Sequence, residues 1–320
     1  MKLLKIFSLF AVIAFFGIIL NSCTEDSTNP VDTKQYPNAP TNLKATSIDA
    51  TTIKIKWDKS ASETNDNFKG YRIEITGDGT SALQPREVAK GTSDYTWTNL
   101  VEGTVYTFKV FSITTDTLDS KTAPSVAWSP ATRFKTDIRV YEYKSTRGSG
   151  LVFQNSTGDV ETLTYTMNDE WDICLDTRDG KFSIGSPQAS DYTDANGNYT
   201  SGSKAKAKVF TIYNVVNNVS SLDDVFDSQS IDNLHISPYP EQFMIEFTSV
   251  NKGFVILGKT ASNNFVKIFV KDNAGTILQG TADDRYVQLE ISYQMTPGNG
   301  YAIIQPGFSK EAGPVRKSNK

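Results

Sequence analysis

The chain has 320 residues, a formal charge of −4, and 21% charged against 38% hydrophobic residues. That length suits two domains, and the mild negative charge supplies no basic field for a nucleic-acid partner. A single histidine, His235, excludes multi-histidine zinc sites and histidine-rich catalytic sites within one chain.

The N-terminus reads MKLLKIFSLFAVIAFFGIILNSC. Lys2 and Lys5 form a short positive region, and Ile6 to Leu20 is almost wholly apolar. This is the layout of a secretory signal, and it is short for a spanning helix of ~20 residues. LNSC, Leu20 to Cys23, resembles the lipobox of bacterial lipoproteins, in which the chain is cut before the cysteine and the thiol is diacylated. Asn21 is not the commonest residue there, but the leucine, a small residue and the cysteine stand in order. The resemblance implies a signal peptide over 1–22, lipidation at Cys23, and a mature charge of −6 once Lys2 and Lys5 are removed. Acyl chains on one cysteine anchor a protein to the membrane without spanning it. Thr24 to Pro40, TEDSTNPVDTKQYPNAP, lacks apolar periodicity and holds three prolines, so residues 23–36 read as a flexible tether. The acidic pair Glu25–Asp26 resembles the surface-export signal of Bacteroidota lipoproteins, which implies an outer-membrane, surface-exposed location. With Cys23 used by lipid, Cys174 has no intrachain disulfide partner.

From Pro37 the chain changes character. TTIKIKW (Thr51–Trp57) alternates with Ile53, Ile55 and Trp57 on one face. GYRIEIT (Gly70–Thr76) does so with Tyr71, Ile73 and Ile75, and TVYTFKVFSI (Thr104–Ile113) with Tyr106, Phe108 and Val110. Period two with polar partners predicts antiparallel strands, buried on one side and wet on the other. Turn residues at short intervals between them predict a sandwich. In order and spacing, PNAPTNLKA, Trp57, GYRIEI, YTWTNLVEGTVYTFKV and SPATRFKT resemble a fibronectin type III domain over residues 37–136. The resemblance implies that Trp57 is the core tryptophan of the second strand. It also implies that Leu100 and Tyr106 form the tyrosine corner, and that the domain is a spacer or protein-contact module. Trp97 and Trp128 read as core and strand-edge residues in preference to a sugar-binding surface.

After Thr136 strand-like runs follow closely. They are IRVYEY, DVETLTY, EWDICL, KFSI, AKVFTIY, QFMIEFT, GFVILGK, FVKIFVK and RYVQLEISYQ. Val, Ile, Phe and Tyr dominate them, and Gly, Asn and Asp punctuate. Helix is scarce, its best candidate being SSLDDVFD (Ser220–Asp227) with Ser221 and Asp224 as a capping box. The expected fold class is all-β: a fibronectin type III sandwich followed by a second, larger β-rich domain with little helix. That domain spans 137–310, and 311–320 is a disordered tail.

NDEWDICLDTRDGKFSIG, residues 168–185, packs acids, a tryptophan and a cysteine together. Asp179–Gly180 is a hairpin signal, since both residues tolerate positive φ. A turn there sets Thr177 opposite Phe182 and Leu175 opposite Ile184. Trp171, Ile173, Leu175, Phe182 and Ile184 then share an apolar face, and Asp172, Cys174, Asp176 and Ser183 share a solvated one. Paired catalytic carboxylates need one acid in an apolar setting, so the cluster reads as scaffold. DTRDG lacks the further oxygen ligands of a calcium loop, and so does DYTDANGNY (Asp191–Tyr199).

The WD strand, its successor and the loop SGSKAKAKVF (Ser201–Phe210) resemble the HmuY-like haem-binding lipoproteins of Bacteroidota. GFVILGKTASNNFVKIFVKD (Gly253–Asp272) resembles that family's lysine-bearing hairpin, and DRYVQLEISYQMTPGNG (Asp284–Gly300) its closing strand. Members that bind haem clamp the iron between two axial histidine or methionine side chains. One histidine excludes a two-histidine site, so the resemblance leaves His235 with a methionine. Met244 is nearest in sequence, with Met167 and Met295 further off. The residues by themselves read His235 as a loop histidine and establish no cofactor; haem or a related porphyrin is what the family implies. Cys174 has no basic neighbour to activate a thiolate.

No Gly-rich phosphate loop, Gly-x-Ser-x-Gly elbow or His-Glu-x-x-His pair is present, and only a carboxylate-based glycosidase stays open by composition. The expected protein is therefore not an enzyme. It is a lipid-anchored envelope protein that captures a ligand at the surface. The alternative is an adhesion or structural surface protein that binds another protein or a glycan.

Overall fold

The computed structural model describes residues 34–77, 83–142, 145–154, 159–164, 170–177, 182–187, 210–225, 243–247, 252–299 and 315–317. Seven strands come first: β1 (Thr41–Asp49), β2 (Thr52–Asp58), β3 (Phe68–Gly77), β4 (Arg86–Ala89), β5 (Asp94–Trp97), β6 (Tyr106–Thr114) and β7 (Ser125–Trp128). They form a three-stranded sheet, β1-β2-β5, and a four-stranded sheet, β4-β3-β6-β7. The alternation read from the sequence is the alternation of burial: Ile53, Ile55 and Trp57 of β2 enter one core with Tyr71, Ile73 and Ile75 of β3 and Tyr106, Phe108 and Val110 of β6. Trp57 meets the Tyr71 ring edge to face at 5.5 Å, an arrangement that matches ring edges to π faces. Tyr106 is buried beside Leu100, and its hydroxyl accepts from the Val101 N–H at 3.0 Å. That bond pins the crossing between the sheets. Trp97 and Trp128 are both buried in the same core.

The remaining strands are β8 (Thr132–Tyr141), β9 (Gly150–Phe153), β10 (Val160–Leu163), β11 (Ile173–Asp176), β12 (Phe182–Gly185), β13 (Thr211–Asn217), β14 (Phe243–Phe247), β15 (Phe254–Lys259), β16 (Phe265–Lys271), β17 (Tyr286–Tyr293) and β18 (Val315–Lys317). They make a six-stranded sheet, β10-β9-β11-β12-β14-β18, and a five-stranded sheet, β13-β15-β16-β17-β8. Leu151, Ile173, Leu175, Ile184 and Ile245 from the first meet Ile256, Ile268, Val287, Leu289 and Ile291 from the second in one core. The β15–β16 hairpin turns through Asn263, whose φ of 67° suits asparagine. The protein is thus nearly all β, as its composition and periodicity predict.

Three details depart from the sequence reading. SPATRFKT was expected to close the first sandwich, but Thr132–Phe134 lie in β8, which pairs with β17 of the five-stranded sheet (Tyr293↔Thr132, Ile291↔Phe134). Strand propensity there is local, whereas the choice of partner sheet is not. SSLDDVFD forms no α-helix within its described part. Leu222–Asp224 is one 3-10 turn, with the Ser221 hydroxyl accepting from the Asp223 N–H at 3.1 Å. Val315–Lys317, placed by sequence in a disordered tail, pairs with β14 as β18. No helix among the described residues is long and apolar enough to cross a membrane.

Candidate functional site

The acidic stretch folds as the hairpin its turn signal predicts. Leu175 pairs with Ile184 and Asp176 with Ser183, although the turn itself, residues 178–181, lies outside the described residues. The face assignment needs two corrections. Asp172, Cys174, Asp176 and Ser183 were expected in solvent, yet all four are at most 3% exposed. β11 is an inner strand between β9 and β12, and a polar side chain can be buried where a partner satisfies it. Asp172 shows this, since one of its oxygens accepts from the Phe153 N–H at 2.8 Å. Trp171 was expected on the core face. Leu151 and Phe153 of β9 take the core, which turns Gly150 outward, and the Trp171 indole lies over it. A Cβ on Gly150 would stand 2.0 Å from that ring. Trp171 precedes the first paired residue, Ile173, so the two-residue period does not extend back to it.

At the turn end of this hairpin lies a buried ion pair, Glu142 with Arg285. Glu142, just after β8, has a side chain only 4% exposed. Arg285, just before β17, grips it from Nη2 at 2.7 Å and from Nε at 3.1 and 3.2 Å. The Arg285 backbone N–H adds a bond of 2.9 Å and the Thr177 hydroxyl another of 2.9 Å. Burial pushes the Glu142 carboxyl up, but the bonds from Arg285 and Thr177 outweigh it and hold the group below its ordinary range. The side-chain bonds to Glu142 raise Arg285 against the opposing effect of burial. The guanidinium also sits 5.4 Å over the Phe182 ring, a further attraction for a cation. The cluster therefore clasps the hairpin to the opposite sheet.

Outside the clasp, Arg139 lies 4.8 Å over Tyr286, Tyr286 lies 5.2 Å from Tyr141, and Arg147 lies 5.3 Å over Tyr141. Arg147 also pairs with Asp284 at 3.0 Å, and Asp284 accepts from the Ser145 hydroxyl at 2.9 Å. In this rim both guanidinium groups are stacked on tyrosine rings. Glu142, saturated and ionised, is poorly suited to general acid–base work near neutrality. Among the described residues no group of three or more His, Cys, Asp or Glu could hold a metal ion.

The residues singled out as haem ligands are only partly visible. His235, Met167, Cys23, the loop 191–199 and residues 201–209 lie outside the described residues. Met244 is placed on β14, opposite Gly185 of β12 and Arg316 of β18, and its side chain lies outside what is described. Met295 follows β17 half-buried and packs against the second core. Cys174 is a fully buried thiol. Glu142 and Arg285 escaped the sequence reading because 143 positions separate them. Each looks like an ordinary polar residue of a strand end, and no local signal marks the pair.

Comparison with known proteins bears on the first sandwich. The fibronectin type III family matches residues 38–128. A myokine structure is 22% identical over 29% of this chain and 98% of its own, with a TM-score of 0.25. The third fibronectin III domain of human KIAA0343 is 15% identical over 33% of this chain and 92% of its own, with a TM-score of 0.29. The FN5 domain of Drosophila Lar is 23% identical over 29% of this chain and 97% of its own, with a TM-score of 0.23. No curated protein matches the chain. The order of strands, the buried Trp57 and the Tyr106 corner agree with the family match: residues 38–128 are a fibronectin type III domain.

Proposed function

We propose that this protein is a lipid-anchored envelope protein that captures a ligand at the cell surface without catalysis. The observation that carries the reading is a fibronectin type III domain, a module common in adhesion and ligand-binding surface proteins, followed directly by a second β-sandwich. The charged N-terminus, apolar run and Cys23 support export and lipidation.

The resemblance of the stretches Ser201–Phe210, Gly253–Asp272 and Asp284–Gly300 to HmuY-like sequences supports haem or a related porphyrin as that ligand. His235 and Met244 are the residues that would hold it, and haem would supply the iron that such a pair ligates. Titration of the purified protein with haemin should give a saturating Soret band, and His235→Ala should abolish or shift it. A flat, non-saturating response would remove haem. Saturable retention on an immobilised glycan or surface protein would then assign adhesion. Cys23→Ala should move the protein from the membrane to the soluble fraction, and unchanged detergent partitioning would remove the anchor.

A further inference from the structure

We infer that the fibronectin type III domain and the second sandwich are one cooperative unit, in which the first buttresses the five-stranded sheet of the second. The inference does not rest on the ligand. Domains that move independently are joined by exposed, polar linkers. Here only residues 129–131 separate β7 from β8, and Ser129, Pro130 and Ala131 are all buried. The strand that leaves the first sandwich is the edge strand of the second. Consistently, the described residues from Tyr36 onward form a single compact unit.

The junction is built from groups of both sandwiches that satisfy one another. Phe265 of β16 belongs to the core cluster of the fibronectin domain, with Tyr213 of β13 packed against it. Lys267, also of β16, is 1% exposed. Its Nζ donates to the Val225 carbonyl at 3.0 Å and to the Thr46 hydroxyl of β1 at 3.4 Å, and lies 5.2 Å over the Trp128 ring. A buried ammonium persists only where acceptors and π faces replace water, and the fibronectin domain supplies part of that set. Gln294, fully buried, donates to the Pro130 carbonyl at 3.0 Å and accepts at Oε1 from the Thr296 N–H at 3.1 Å. Glu102 accepts from the Thr132 N–H at 2.7 Å, tying a fibronectin loop to the start of β8. Separating the sandwiches would expose Phe265 and strand these polar groups, so unfolding of one removes support from the other.

The consequence is that the second sandwich is held at a set angle to the fibronectin type III domain and not swung on a spacer. The test is urea unfolding of the full-length chain, read by pulsed hydrogen exchange and mass spectrometry on peptides from β2–β6 and from β15–β17. Both regions should lose protection at one midpoint. Ile55→Ala, in the fibronectin core, and Ile268→Ala, in the second core, should each lower the midpoint of both regions equally, with Ile→Val at the same positions used if an alanine variant does not fold. Gln294→Ala, in neither core, should lower both midpoints or part them. Two separate midpoints in the unaltered chain, core variants that shift only their own region, or a Gln294→Ala chain identical to the parent would each overturn the inference.

Discussion

Glu142→Ala should be among the more damaging single changes in the second sandwich. It removes the acceptor for three side-chain contacts from Arg285, for the Arg285 N–H and for the Thr177 hydroxyl. Removing one partner of a buried ion pair costs roughly 3–5 kcal/mol, because the other charge is left uncompensated. Arg285 keeps 29% of its side chain exposed, so water recovers part of that loss, and about 2–3 kcal/mol is expected. Glu142→Gln keeps one acceptor oxygen and should cost about half as much. Equilibrium urea unfolding measures both. The pH dependence adds an independent check. Glu142 is held below its ordinary value of 4.5 in the folded state, so its stabilisation is fully present above that value and is lost as pH falls through the lower, folded one. The gap between the parent and Glu142→Gln should therefore be constant near neutrality and close in acid. A Glu142→Ala cost within ~0.5 kcal/mol, the range of ordinary surface changes, would refute the clasp. So would a gap that stays constant into strong acid.

Asp172→Ala should cost about 1–3 kcal/mol, since it leaves the buried Phe153 N–H without its acceptor; a loss under ~0.5 kcal/mol in urea unfolding would return Asp172 to the surface. Gly150→Ala should lower the thermal midpoint, because its Cβ would stand 2.0 Å from the Trp171 ring and overpacking costs typically 1–3 kcal/mol. An unchanged midpoint would show that the indole lies elsewhere. Trp57→Ala should cost about 3–5 kcal/mol by core truncation, and a parental urea midpoint would contradict its burial.

Much of the fold was legible one strand at a time. In β2, β3 and β6 the two-residue period alone picked out Ile53, Ile55, Tyr71, Ile73, Phe108 and Val110 as core, because period and pleat are the same local geometry. The Asp179–Gly180 signal set the register of β11 against β12, and Leu175↔Ile184 follows from it, since turn position and pairing are coupled over a few residues. The candidate haem ligands were legible only as residue types: His235 lies outside the described residues, and Met244 is placed by its backbone on β14.

The amino-acid order thus marked most of the strands, the apolar faces of β2, β3 and β6 and the presence of a fibronectin type III domain, because each of these depends on neighbours within a turn or a strand. Only the tertiary structure decided that β8 joins β17, that the polar face of β11 is as dry as its apolar face, and that Glu142 meets Arg285. Burial and ion pairing depend on what arrives from elsewhere in the chain, and a polar side chain carries no local mark of whether water or a distant partner will satisfy it.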